Sequence, residues 1–153
     1  MKGFNMEKGV TKIYRLMRFF YLKRVPILPK LIKLIIRVVY SCTIPYTVQI
    51  GHGTKFPHGG QGVILHEETV IGDNCKIQAN VVIGGRNNKP GAPQIGNNVL
   101  IGAGAVLLGN IKIGNHVAIG ANSVVTSDIP NNAVVTGIPG KVSRYLDEDE
   151  NIM

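Results

Sequence analysis

From Ile71 onward, branched apolar side chains recur at every sixth position: Ile71, Ile77, Ile83, Ile95, Ile101, Leu107, Ile113, Ile119 and Val125, with Lys89 the one departure. Glycine usually follows directly, at Gly72, Gly84, Gly96, Gly102, Gly114 and Gly120. Four residues after the apolar position stands a small or branched residue such as Cys75, Val81, Val99, Ala105, Val117 or Ser123. At 3.6 residues per turn an α-helix would scatter such a period around its axis, and the strands of a sandwich would alternate with period two. Units of one short strand and one corner fit it: the apolar residue points inward and the glycine is expected to allow the sharp turn. Stacked coils then bury a continuous column of isoleucine and valine, which predicts a parallel β-helix.

The period slips twice. Phe56 to Leu65 is a step of nine residues where six are expected, and the stretch between them, PHGGQG, sets His58 before Gly59, Gly60 and Gly62. The second slip is RNNKPGAPQ, Arg86 to Gln94, predicted to leave the coil as an extended loop and return in phase at Ile95. Departures from a repeat map to loops, often on the working face.

Upstream the pattern is helical. TKIYRLMRFFYLKR spaces Ile13, Leu16, Met17 and Phe20 along one face; Pro26 and Pro29 interrupt; KLIKLIIRVVY resumes with Leu31, Ile32, Ile35 and Val39. Lys33 and Arg37 divide that apolar run, which is far shorter than the roughly 18 uncharged residues of a spanning helix. With no convincing signal-peptide cleavage site, the expected location is cytoplasmic, with the inner face of the cell membrane as a further expectation.

Charge sharpens the division. Residues 1–42 hold ten Lys and Arg against Glu7, a balance of +9, whereas residues 43–153 hold seven bases and eight acids, a balance of −1. The expected organisation is a basic amphipathic helical arm over 1–42, a β-helix over 43–145 and an acidic tail over 146–153. Nucleic acid is not an expected partner, because the cations lie off the folded domain and no binding motif accompanies them. Two uses of the arm stay open: packing against the β-helix or another subunit, and peripheral contact with an anionic membrane. Cys42 and Cys75 are read as small buried hydrophobes rather than a disulfide framework.

VIGDNCKI, IGNNVLIGAGAVLLGNIKIGNHVAIGANSVV and GIPGKV resemble the hexapeptide-repeat acyltransferases, specifically their serine acetyltransferase branch and its relatives that acetylate surface polysaccharides. The resemblance covers about Thr43 to Arg144. It implies a mainly β fold, a left-handed parallel β-helix with a short N-terminal helical extension, assembled as a homotrimer that uses acetyl-CoA between neighbouring subunits. The left hand rests on the resemblance, since parallel crossovers in general favour the right.

Acyl transfer from a thioester to a hydroxyl needs a base for the hydroxyl proton and donors for the oxyanion. Histidine meets the first need. The related enzymes carry an Asp-His pair in the equivalent turn. Aligned from upstream, His58 falls on that histidine and Pro57 on the aspartate; aligned from downstream, Gly59 takes the histidine's place. His66, beside Glu67 and Glu68, is the rival base, while His52 and His116 are expected to face solvent. By resemblance, Gly85, Ala103 and Ala121 line the groove for the pantetheine arm and Lys141 lies near the nucleotide phosphates; plain repeat geometry explains the small residues equally well.

Three acceptor or activity classes follow. The residues with which the resemblance would hold serine are replaced by Pro57, Thr43, Gly91 and Ala92, so a sugar or surface-polysaccharide hydroxyl is the expected acceptor, with L-serine as the alternative. A non-catalytic β-helix binding module is the third reading. A zinc enzyme of the γ-class carbonic anhydrase type is disfavoured, because histidine separations of six, eight and fifty residues do not give its ligand spacing. No metal is expected.

Overall fold

A computed structural model describes residues 9–87, 89–147 and 149–152. Two helices lead, α1 (Val10–Leu22) and α2 (Leu28–Tyr40), the second with Pro29 in its first turn, where a missing N–H leaves nothing unsatisfied. Short strands follow: β1 (Gln49–Ile50), β2 (Ile64–Leu65), β3 (Val70–Ile71), β4 (Lys76–Ile77), β5 (Val82–Gly84), β6 (Gln94–Ile95) and β7 (Leu100–Ile101). The rest are β8 (Val106–Leu108), β9 (Lys112–Ile113), β10 (Ala118–Ile119), β11 (Val124–Val125), β12 (Ala133–Thr136) and β13 (Lys141–Tyr145).

The strands stack into three parallel sheets, the sides of a prism. The first face is β1-β3-β6-β9, the second β4-β7-β10-β12, and the third β2-β5-β8-β11. The chain visits the faces in that order, coil after coil. Register places like on like: Ile77 pairs with Ile101, Ile101 with Ile119 and Ile119 with Val135 on the second face, and Leu65, Ile83, Leu107 and Val125 follow one another on the third. These side chains are buried, as the six-residue period requires.

The glycines that follow the apolar positions act differently from expectation. None of the six has a positive φ. A Cβ on Gly72 would stand 2.5 Å from the carbonyl oxygen of Gly96, and one on Gly102 would stand 2.5 Å from the amide nitrogen of Ala121. At Gly72, Gly96, Gly102 and Gly114 successive coils approach too closely for a side chain, whereas a Cβ on Gly84 would meet only the Leu108 side chain, at 3.2 Å. The corners are turned one or two residues later, largely by asparagine in the left-handed region, at Asn74, Asn80, Asn98 and Asn122, a conformation asparagine tolerates. At the corner between the first and second faces the side chains also form a ladder. The N–H of His52 donates to Asp73 Oδ1 (2.7 Å), that of Asp73 to Asn97 Oδ1 (2.7 Å), that of Asn97 to Asn115 Oδ1 (2.8 Å) and that of Asn115 to Asn131 Oδ1 (2.7 Å). Backbone donors outside the sheets are thereby satisfied.

Both ends of the coil are covered. Helix α1 lies on the first turn: the Tyr14 hydroxyl donates to Val48 O (2.5 Å), Arg15 to the carbonyls of Ile50 and Gly51, and Arg18 to those of Tyr46, Thr47 and Val48. Tyr14, Met17 and Ile36 are fully buried and continuous with the coil core. The inward faces differ from the expected ones: Val10, Thr11, Tyr14 and Met17 of α1 and Pro29, Ile32 and Ile36 of α2 are buried, while Leu16, Leu31, Ile35 and Val39 are exposed. At the other end β13 pairs antiparallel with β12, and Leu146 folds in with its N–H on Asn132 O (2.6 Å). His116, expected in solvent, is half-buried, its Nδ1 3.1 Å from Asn132 Oδ1 and its Nε2 2.9 Å from Glu150 O. His52 is exposed.

The thiols have no access to solvent. Cys75 Sγ lies 3.2 Å from Gly96 O and is fully buried, and burial pushes the Cys42 thiol up to about 11. Both stay protonated at pH 8, so no reaction with a thiol reagent is expected from the folded chain; two equivalents should react once it is denatured. Rapid labelling under native conditions would contradict this burial.

Candidate active site

The two irregularities occupy different corners. After buried Phe56 the chain forms a 3₁₀ turn, Pro57–Gly60, with His58 (φ 55°) and Gly59 (φ 70°) in the left-handed region. Gln61 and Gly62 are back in column: the N–H of Asn80 donates to Gln61 O (2.8 Å), that of Gly104 to Ala79 O, and that of Asn122 to Ala103 O. The extra residues thus bulge from the corner between the second and third faces, directly in line with Ala79, Ala103 and Ala121. That edge is a column of small side chains with an exposed histidine at one end. The bulge is seated against the helical arm, since the N–H of Gly62 donates to Ser41 O (2.9 Å) and a Cβ on Gly59 would meet the Tyr40 ring at 3.0 Å. Left-handed backbone is costly for a non-glycine residue and is found where surroundings enforce it.

His66 stands at the opposite edge of the third face, where that face turns into the first. The long loop leaves from the same corner one coil on, at Gly85. It returns earlier than expected: the N–H of Val70 donates to Pro93 O and Gln94 already pairs in β6. Its body folds back on its own chain, so that a Cβ on Gly91 would meet Asn110 Cγ at 2.7 Å, and Arg86 lies against Gly109. A cleft of about 290 Å³ results, lined by His66, Glu68, Gly85, Arg86, Lys89 and Gly91 among others. A second, of about 350 Å³, opens on the loop's other side between Arg86, Lys89 and Pro90 and the Leu108–Ile111 corner.

Within the first cleft the His66 ring has a defined orientation. Its Nδ1 accepts from the Glu68 N–H (3.3 Å) and its Nε2 would lie 3.3 Å from a Cβ on Gly85. An Nδ1 that accepts carries no proton, so the neutral ring bears its hydrogen on Nε2, facing Gly85. In this tautomer the ring presents its Nε2 hydrogen to the cleft.

Of the residues singled out by sequence, His66 and Gly85 meet in one cleft. His58, Ala103 and Ala121 share the other edge, and Lys141 stands exposed at the start of β13. Glu68, Arg86 and Lys89 escaped the sequence reading as lining residues. The signal available was two cations in the loop that breaks the period, in a domain otherwise nearly neutral.

Two family models match the chain: the bacterial transferase hexapeptide (six repeats) over residues 92–127 and the hexapeptide repeat of succinyl-transferase over residues 68–84. The serine acetyltransferase of Synechococcus elongatus is 40% identical over 131 residues, which are 84% of this chain and 53% of that one. That of Staphylococcus xylosus is 43% identical over 124 residues, 80% and 57% of the two. The chain thus spans about half the length of the curated relatives it matches. Among solved structures, the serine acetyltransferase of Neisseria gonorrhoeae superposes with a TM-score of 0.85 at 33% identity, covering 91% of this chain and 55% of that one. The Brucella abortus enzyme in complex with coenzyme A gives 0.85 at 29%, covering 90% and 55%. The fold is therefore the left-handed β-helix of these enzymes. By its six-residue period, its three-sided coil and the models it matches, the chain belongs to the hexapeptide-repeat transferases, with serine acetyltransferases as its relatives.

Proposed function

We propose that the chain is an acetyl-CoA-dependent O-acetyltransferase, with L-serine the acceptor that its relatives support. The observation that carries this reading is the loop cleft around His66 and Gly85, in a chain similar over most of its length to serine acetyltransferases, one of them solved with coenzyme A. His58 is the base. It takes the acceptor's hydroxyl proton as the oxygen attacks the thioester carbonyl; the C–S bond then breaks and the proton goes to the leaving thiolate. His66, with its hydrogen on Nε2, donates toward the oxyanion. Because the two histidines stand on opposite edges of the third face, one chain does not bring them together. A neighbouring copy whose bulge edge approaches this chain's loop would do so, and a homotrimer closes that arrangement three times.

A sugar or polysaccharide hydroxyl is a second reading, with an observation of its own. Pro57, Thr43, Gly91 and Ala92 stand where charges would hold a zwitterion, and the last two are committed to packing, Gly91 against Asn110 and Ala92 fully buried. Neutral acceptors need no such charges.

The expected result is coenzyme A release that depends on a hydroxyl acceptor. Saturation by L-serine would fix the first acceptor; saturation by a nucleotide sugar or oligosaccharide, with serine at the hydrolysis background, would fix the second. Background rates with every acceptor would leave a non-catalytic binding module and end the enzymatic reading.

A further inference from the structure

We infer that the outer face of the two N-terminal helices docks on an anionic phospholipid surface. The helices are amphipathic twice over. At about 100° per residue, α2 turns Pro29, Ile32 and Ile36 into the core and carries Lys30, Lys33 and Arg37 on the adjoining strip. The remaining arc, about 140° wide by the same geometry, is apolar and outside: Leu31, Leu34, Ile35, Val38 and Val39, with Leu34 57%, Val38 71% and Val39 65% exposed. Helix α1 adds Leu16, Phe19 and Leu22 beside Lys12, and the connection adds Lys23, Arg24 and Ile27. So extended an apolar surface marks an interaction site.

The charges identify its occupant. Residues 9–42 contain eight Lys and Arg and no acidic residue. Arg15 and Arg18 reach carbonyls of the first coil; Lys12, Lys23, Arg24, Lys30, Lys33 and Arg37 border the apolar arc. A lipid headgroup layer offers what this border lacks, negative charge at the rim of an apolar interior. Self-pairing of the same face in a second copy would bring two sets of cations to one interface with no acidic residue of 9–42 to oppose them, because an isologous contact repeats both partners' charges. Among the described residues no helix is long and apolar enough to cross a membrane, so the helices would lie in the plane of the interface.

Sedimentation of the full chain with vesicles tests this. Binding is expected to mixed phosphatidylglycerol–phosphatidylcholine vesicles and not to phosphatidylcholine alone, and added salt should weaken it. The triple variant Lys30→Gln, Lys33→Gln, Arg37→Gln should bind about a hundredfold more weakly, since each cation near such a surface contributes about 1 kcal/mol. Leu34→Ser with Val38→Ser should lose at least about tenfold at every salt concentration. All five positions lie outside the core, so lipid-free sedimentation should be unchanged. Three results would overturn the inference: no binding to the anionic vesicles, equal binding by the triple glutamine variant, or an altered lipid-free assembly in the Leu34–Val38 double variant. The last would place the face between copies of the chain.

Discussion

His58→Ala is expected to lower turnover by about 10²–10⁴-fold, the range of a positioned base, with assembly and acetyl-CoA binding near normal. The side chain is exposed on a bulge and carries no part of the core. His66→Ala should cost about 10²–10³-fold, the range for a lost oxyanion donor. The size of the loss separates the roles: His58→Ala should be the more damaging of the two. The two variants also report on architecture. If each site takes His58 from one copy and His66 from its neighbour, co-assembling the two inactive chains rebuilds sites with both histidines, and activity should return. Were both histidines supplied by one chain, mixing would restore nothing. A larger loss in His66→Ala than in His58→Ala would transfer the base to His66.

The parallel coil was legible in the sequence because a period of six leaves a strand-and-corner unit as the simplest reading, and each inward residue it marked is buried. The glycine column was legible only as a pattern. Its cause is the 2.5 Å approach between adjacent coils, which depends on stacking and cannot be read along one strand. The helical faces failed for a related reason. Apolar residues nearly encircle α2, so periodicity could not say which arc meets the coil; Ile36 rather than Ile35 turned inward because packing chose it. The site was half legible. Both irregularities lie at corners, but sequence spacing did not show that they lie at opposite edges of one face, nor that a backbone N–H holds the His66 ring.

Ile101→Ala should destabilise the fold by about 2–5 kcal/mol, the usual range for emptying a fully buried isoleucine site. The expectation lies toward the upper end because the neighbours cannot close in. Ile77 and Ile119 sit in register directly above and below and are themselves almost completely buried, and the glycines beside the column already fix the coil spacing at contact. In a repeat structure each coil is stabilised by the next, so loss at a central coil weakens both interfaces. Denaturant titration would show a lower midpoint, while Leu100→Ser, one residue away and only half-buried, should shift it far less. Equal shifts would mean that the column does not carry the stability assigned to it.

The closures at the two ends of the coil bear on how the molecule can associate. A parallel β-helix left open at both ends is a seed for its own fibre, since each terminal turn is a template for the first turn of another molecule. Here Tyr14, Arg15 and Arg18 occupy carbonyls of the opening turn, while an antiparallel strand and the buried Leu146 finish the last one. Among the described residues, the parallel ladder of the second face ends on an antiparallel partner and carbonyls of the opening turn are already taken by the arm, so neither closure presents the parallel repeat to a further coil.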